Sequence, residues 1–380
     1  MMKELGIYLH FPFCVRKCGY CDFLSFPAGE EMKSIYAAAM IREIRGYAEA
    51  MKDYKVTSIF AGGGTPSVMP VRELRRIFRA LRDSFQITDD AEITMEINPG
   101  TVTPGLLPFI YDEINRVSMG LQSANDRELQ LLGRIHTLRD FEKSYELLRE
   151  TGLQNINIDL MSAIPDQTEQ SWEETLRTAC SFEPQHISAY SLIIEDGTPF
   201  ERLYSQGKLR LPDEEAERRM YYKTKEILAG RGYEQYEISN YAKPGFRSRH
   251  NSRYWQRGSY LGLGLGASSL IGETRWKNTD QMDLYLKESA DPQKLVTEME
   301  ELDRRSAIEE FMFLGLRMTD GITEEDFRNS FSLELQDIYG ETLQRLEEEE
   351  MLQHDANDRY RLTERGIDLS NRVLSAFLFD

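Results

Sequence analysis

A chain of 380 residues is longer than one core usually organises, which points to one large domain with one or two smaller ones. Its 46 Lys and Arg against 64 Asp and Glu leave a formal charge of -18, which argues against a general phosphate-backbone binder. No window approaches the roughly 18 consecutive apolar residues of a membrane span, and the start of the chain, with Glu4 and a very short apolar run, has no signal-peptide pattern, so a cytoplasmic location is expected.

From Leu5 to about Leu192, short β-branched or apolar runs alternate with helical patterns. The runs are Gly6 to Phe11, Val56 to Phe60, Glu92 to Ile97, Arg116 to Leu121, Asn155 to Met161 and His186 to Leu192. Between them lie amphipathic stretches such as Tyr36 to Met51 and Arg72 to Phe85, apolar every three or four residues. Strand then helix, repeated about six times, predicts an α/β fold of parallel units closing partly or fully into a (β/α) barrel, with its chemistry at the C-terminal strand ends.

The first run exits through Phe11-Pro12-Phe13 into Cys14-Val15-Arg16-Lys17-Cys18-Gly19-Tyr20-Cys21. Only four cysteines occur in the sequence and three of them fall within these eight residues, so this is no disulfide framework. A CxxxCxxC loop can wrap three thiolates round one small object, Gly19 permits a tight backbone approach, and a reducing compartment keeps the thiolates free. Three ligands leave one coordination position open, which suits an iron-sulfur cluster. The alternative is a structural zinc site, which needs a fourth ligand; Cys180 reads as an ordinary buried cysteine at the end of a helix, and His10 is the nearest other candidate.

Gly62-Gly63-Gly64-Thr65-Pro66 ends the second run, where glycines admit a ligand to hydrogen-bonding range of the backbone; by itself it is also an ordinary turn. Glu96-Ile97-Asn98-Pro99 ends the third and places a carboxylate at the barrel mouth, or a merely solvated strand-end glutamate.

After Glu195 the pattern is irregular, with a helix near Glu214 to Ala229 and strand candidates around Tyr236 and Leu261. It contains His250-Asn251-Ser252-Arg253-Tyr254-Trp255, preceded by Arg247 and Arg249. Imidazole can ligate heme iron, aromatic rings pack on a macrocycle and arginines pair with propionates; a surface loop with a satisfied histidine is the blander reading. Tyr260 to Ala267 alternates glycine with leucine as GxGxG, which is not a dinucleotide fingerprint and suggests close packing on the barrel or a cofactor. After Thr279 the chain turns helical and acidic. Residues 322–380 read helix, helix, short strand, helix, a small winged-helix-like domain that the acidic run Glu347 to Glu350 makes a poor DNA binder. The expected segments are 1–195, the barrel; 196–290, an appendage packed on it; and 291–380, the acidic helical domain.

The cysteine loop, the glycine turn and the HNxxYW hexad together resemble radical S-adenosylmethionine (SAM) proteins of the coproporphyrinogen III dehydrogenase-like group, most closely its HemW-type heme chaperones, over nearly the whole chain. The resemblance implies that Cys14, Cys18 and Cys21 hold a 4Fe-4S cluster whose open iron is chelated by SAM. It implies cofactor contacts at Tyr8, Tyr20, Gly63, Gly64, Thr65, Glu96, Gln122, Arg134 and Asp159. Arg134 is suited to the SAM carboxylate through its bidentate fork, and Asp159 to ribose hydroxyls. His250 is then the implied heme ligand. Apo-hemoproteins are the implied clients, with respiratory hemoproteins and transient membrane association suggested. No motif reads as a nucleic-acid partner.

The rival within the group is the oxygen-independent dehydrogenase, a porphyrinogen decarboxylase. It typically extends the loop to CxxxCxxCxC and carries a longer segment before the first strand; here Asp22 is followed by Phe23 and the first run begins by Gly6. A non-catalytic iron-sulfur module is a third class, and it would leave Glu96, Arg134 and Asp159 without purpose.

Overall fold

The computed structural model describes residues 2–379. Six strands, β1 (Lys3–Phe11), β2 (Tyr54–Gly63), β3 (Gln86–Ile97), β4 (Arg116–Gln122), β5 (Ile156–Ser162) and β6 (His186–Ser191), pair in parallel in sequence order. β7 (Glu234–Gln235) and β8 (Asn240–Ala242) extend the β6 side. On the other side come β9 (Tyr260–Leu263), parallel to β1, then β10 (Ser268–Ile271), β11 (Thr274–Asn278) and β12 (Val296–Glu301), antiparallel. The result is one twelve-stranded sheet, with β12 and β7 as its edges.

Alternation along each strand separates two faces. Leu5, Ile7, Leu9 and Phe11 of β1 join Val56, Ile59 and Ala61 of β2, Ile93, Met95 and Ile97 of β3 and Val117 and Met119 of β4 in the main apolar core, against the helices. Helix Glu30–Tyr47 shows why such helices form there: Tyr36, Ala37, Met40, Ile41 and Ile44 recur at helical spacing and are buried, while Glu30 and Glu31 sit in its first turn and Arg45 in its last, complementing the backbone dipole. Trp172 on helix Glu169–Ser181 is fully buried and donates its indole N–H to Thr224 Oγ1 (2.9 Å) and Met220 O, which ties it to helix Glu214–Ala229.

The opposite face is polar. Tyr8, His10, Ser58, Glu92, Thr94, Glu96, Arg116, Ser118, Asn157, Asp159, His186 and Ser188 alternate with the core set, and nearly all are buried. A buried face of that composition is stable only if its groups are partnered or bind something.

A second core, from Ala307 to Phe377, gathers helices Arg304–Gly315, Glu324–Phe331 and Leu335–Glu348 with the small sheet of β13 (Ile322–Thr323), β14 (Leu352–His354) and β15 (Arg359–Leu362). Two expectations are corrected. Segment 196–290 is not merely packed on the parallel strands, because β7 to β11 are strands of the same sheet. The stretch after residue 291 is not helical from its start, because β12 pairs with β11 over Val296 to Glu301. Five of the six β12 residues are exposed and four are Thr or Glu, the charged habit of an edge strand that hides it from a pattern search.

Candidate functional site

The cysteine loop leaves β1 and is stapled at its base: Phe26 N–H donates to Pro12 O (2.9 Å) and Cys14 N–H to Phe26 O (3.2 Å). Gly19 is enclosed, donating to Leu132 O (3.1 Å) and accepting from Phe200 N–H (3.0 Å), and a Cβ there would lie 2.7 Å from the Phe200 ring. Cys14, Cys18 and Cys21 are free thiols, each partly exposed. Cys14 Sγ lies 3.5 Å from Thr65 Oγ1 and Cys18 Sγ 3.8 Å from Arg134 Nη1, so the loop faces the ends of β2 and β4. Among the described residues no three His, Cys, Asp or Glu side chains are gathered as ligands of a single ion. His10 is fully engaged, Nδ1 with Tyr8 OH (3.0 Å) and Nε2 with Leu24 O (2.9 Å), and Cys180 is buried elsewhere in helix Glu169–Ser181.

Beside the cysteines the three glycines form a cradle. Gly63 has φ +100°, and a Cβ on it would lie 2.4 Å from the His10 ring and 3.1 Å from Tyr8 OH. On Gly62 it would meet Glu96 Oε2 at 2.8 Å, and on Gly64 the backbone of Phe11 and Phe13 at 2.6–2.9 Å. Gly63 N–H donates to Glu96 Oε2 (3.0 Å), and Asn98 Nδ2 donates to Thr65 Oγ1 (2.6 Å), so the Glu96-to-Pro99 turn and the glycine turn brace each other. Burial, and then the charge of Asp159, push the Glu96 carboxyl up to about 8, against the pull of the Gly63 N–H and Arg116. Asp159 is also raised by burial, while accepting from Ser118 Oγ (2.9 Å) and Asn157 Nδ2 (2.7 Å).

Arg134 is held by three groups: Nη2 donates to Asn98 Oδ1 (2.6 Å) and Gly120 O (2.8 Å), and Nη1 points at Cys18. Its fork is therefore engaged by the protein, and a bound carboxylate would take over part of that bonding. Gln122 closes β4 with φ +69°, a left-handed conformation costly for a residue with a Cβ, at a break in the β4–β5 register. Tyr20 packs on Phe200 at 6.3 Å, and burial raises its hydroxyl pKa while Arg134 opposes the rise.

The HNxxYW hexad lies elsewhere. It forms helix Arg249–Trp255, seated against the middle of β2 and β3: Glu92 of β3 accepts from Arg249 N–H and His250 N–H (both 3.0 Å), and Arg253 donates to Thr57 of β2. The cysteine loop follows the C-terminal end of the neighbouring strand β1. The segment is a helix and not a surface loop, and His250 is 1 % exposed and stacks on Phe60 (5.3 Å); the satisfied histidine of that blander reading is what the structure shows, with Nδ1 bonded to Ser58 Oγ (3.0 Å) and Nε2 to Tyr254 OH (2.9 Å). Arg247 pairs with Asp320 and Arg249 with Asp90. Tyr236 OH, bonded to His186 Nε2 (2.7 Å) and accepting from Ser248 N–H (3.3 Å), links the helix to β6.

Burial, reinforced by Arg253 and Arg116, pushes His250 down to about 3, and burial also depresses His186. Both stay neutral in the folded chain below the pH at which they charge in the unfolded one, near 6.5, so unfolding takes up protons there and stability falls with acidification. Each should remove about 1.4 kcal/mol per pH unit below about 6.5. Urea melts of the metal-free protein at pH 7.5 and 5.5 check this; in His250→Gln the loss should shrink by one group's share.

Two residues of the site lay outside the sequence-based set. Asn98, which joins Thr65 to Arg134, stood within the turn motif but carried no role. Arg116 looked like the edge of an apolar run yet is a fully buried cation on the polar face. The GxGxG stretch proves to be close packing: Gly264, φ +109°, donates to the buried Glu43 (2.8 Å), and a Cβ there would lie 2.7 Å from His10 O.

Comparison with known proteins gives this geometry its family. The radical SAM superfamily model matches residues 8–179 and the HemN C-terminal domain model residues 302–369. The chain is 36% identical to "Heme chaperone HemW" of Lactococcus lactis subsp. lactis over 381 aligned positions, covering 100% of this chain and 99% of that protein. It is 34% identical to the protein of that name in Bacillus subtilis, covering 98% of each. The solved Escherichia coli coproporphyrinogen III oxidase (HemN) superposes with a TM-score of 0.85 over 99% of this chain and 90% of that one; at 23% identity this shows a shared fold. The chain belongs to the HemW family within the radical SAM superfamily.

Proposed function

We propose that this protein is a heme chaperone, which binds heme and delivers it to apo-hemoproteins while carrying a SAM-bound 4Fe-4S cluster. The observation that carries the reading is the pairing of the CxxxCxxC loop with an HNxxYW hexad in a chain that matches proteins named heme chaperones from end to end. The full-length similarity to those chaperones favours this reading over the porphyrinogen dehydrogenase.

The residues suit the cofactors. Cys14, Cys18 and Cys21 would each hold one iron and leave a fourth open, and the glycine turn beside Cys14 packs so closely on His10, Glu96, Phe11 and Phe13 that only glycine fits there. When bound, the cluster and SAM supply one-electron cleavage of the sulfonium. The chain's part is to bind and orient: Gly63, Gly64 and Thr65 offer backbone groups and a hydroxyl, Glu96 accepts from an amino group, Arg134 receives a carboxylate, Asp159 accepts from ribose hydroxyls, and Tyr8, Tyr20 and Gln122 line the rest. We assign the cluster and SAM to segment 1–195, the heme motif to 196–290, and place the small C-terminal domain after β12. Among the described residues no helix is long and apolar enough to cross a membrane; we place the protein in the reducing cytoplasm, where its thiols survive.

His250 is the proposed heme ligand, and ligation requires it to leave Ser58 and Tyr254. That requirement is testable. His250→Ala should weaken heme binding at least about tenfold, as loss of an iron ligand does, with cluster iron and sulfide unchanged. Tyr254→Phe, which frees Nε2, should strengthen binding several-fold. Anaerobic heme titration followed by absorbance reads both; unchanged affinity in His250→Ala removes this residue as ligand.

A further inference from the structure

We propose that Arg116 is a positioning residue of the SAM pocket, a counter-charge beneath Glu96 and Asp159 that favours their ionised forms without bonding to either. The inference rests on the SAM contacts proposed above.

Arg116 opens β4 opposite Thr94 of β3, and one step further along the same face Glu96 stands opposite Ser118, which donates to Asp159. All of them point away from the apolar core. Arg116 is 1 % exposed, yet its Nε and Nη1 have no hydrogen-bond partner, and neither has Oγ1 of the neighbouring, fully buried Thr94. A buried guanidinium is normally locked to a carboxylate or carbonyl, because leaving one unpaired costs several kcal/mol. Here the charge is balanced through space. Arg116 acts electrostatically on Glu96 and Asp159, and on His186 and His250, which burial keeps neutral.

The stand-off has a purpose. A direct ion pair would consume the oxygens that Glu96 and Asp159 need for a ligand, whereas a cation a short distance below favours their ionised forms and leaves the oxygens free. Glu96 is faced by Tyr8 from β1, the Gly63 N–H from the β2 turn, Arg116 from β4, Asp159 from β5 and Tyr254 from the motif helix. Asp159 is faced by Ser118 and Arg116 from β4, Asn157 on its own strand, Ser188 and Tyr190 from β6, and Glu96. Arg116 is the cation common to both sets.

The test is equilibrium binding of SAM to the anaerobically reconstituted protein from pH 6.5 to 9.5, with iron, sulfide and circular dichroism recorded for every variant. Wild-type affinity should rise with pH with a midpoint near 8, as Glu96 ionises, and level off above about 9. Arg116→Met should bind about tenfold more weakly at pH 7.5 and have its midpoint about one pH unit higher, the shift that loss of one nearby charge produces. Arg116→Lys should follow the wild-type profile. If Arg116→Met does not fold, Arg116→Gln takes its place. An unchanged midpoint in the neutral variant overturns the proposal, and so does a lysine variant as impaired as the neutral one, which would mean packing and not charge. Glu96→Gln separates the layers: if it binds SAM normally, the underlying contact assignment fails whatever Arg116 does.

Discussion

Replacing Cys14, Cys18 and Cys21 together by serine is expected to abolish the iron-sulfur chromophore and all stoichiometric iron and sulfide after anaerobic reconstitution. Serine keeps the size of the side chain but removes the thiolate that binds iron. The fold should survive. The loop base is held by backbone bonds between Pro12, Cys14 and Phe26 and by Gly19 against Leu132 and Phe200, none of which uses a sulfur. Cys180, buried in its helix with its thiol pushed up to about 11 by burial, cannot substitute. Retention of full iron and sulfide by the triple variant would refute the cluster assignment.

Gly63→Ala should do the most damage per atom added. A side chain at φ +100° is strained, and this one would also lie 2.4 Å from the His10 ring, which is fixed at both nitrogens. Strain of about 1–3 kcal/mol and overpacking of about 1–3 kcal/mol together predict a loss of several kcal/mol in unfolding free energy. SAM affinity should fall about tenfold or more, because the methyl group collides with the His10 ring and pushes it and Tyr8 out of place. Gly152→Ala is the control. It too has a positive φ, +84°, but nothing stands within 4 Å of the added carbon, so only the backbone strain should appear, with SAM binding intact. Paired denaturant melts and SAM titrations decide; equal losses in the two variants would contradict a built cradle at Gly63.

The legible part of this molecule was the part whose signal is local. Parallel strands buried on one face and lined on the other still read as apolar runs, so β1 to β6 could be placed from Leu5, Ile59, Met95, Val117, Ile158 and Ile187. Cys14 to Cys21 and Gly62 to Pro66 are contiguous motifs, and each lies at a strand end, where an α/β fold puts its chemistry. What escaped depends on distant partners. β12 reads as a polar acidic stretch because it is an exposed edge, and the β10–β11 hairpin is short. His250 looked like a loop residue because nothing near it in sequence announces Ser58, 192 residues away, or Glu92, 158 residues from its backbone N–H. Arg116 had no motif at all; its role comes only from the register that sets it beside Thr94 and below Glu96. An arginine opening an otherwise apolar strand was the one available hint, since a cation there must be balanced or functional.

The polar face of the sheet unites the two ends of the proposed site. Glu96, Asp159 and the glycine cradle open toward the cysteines, while Glu92, His186 and Ser58 hold the helix that carries His250. Tyr254 stands between them, bonded to His250 and within electrostatic reach of Glu96.

Heme transfer is the most direct measurement: the reconstituted protein, loaded with one equivalent of heme, is mixed anaerobically with an apo-hemoprotein, and coproporphyrinogen III is supplied in a parallel reaction with SAM and reductant. The account predicts stoichiometric heme uptake, delivery to the apo-protein and no vinyl-group formation. Failure to hold heme, together with decarboxylation of the porphyrinogen, would contradict it and make this chain a biosynthetic enzyme.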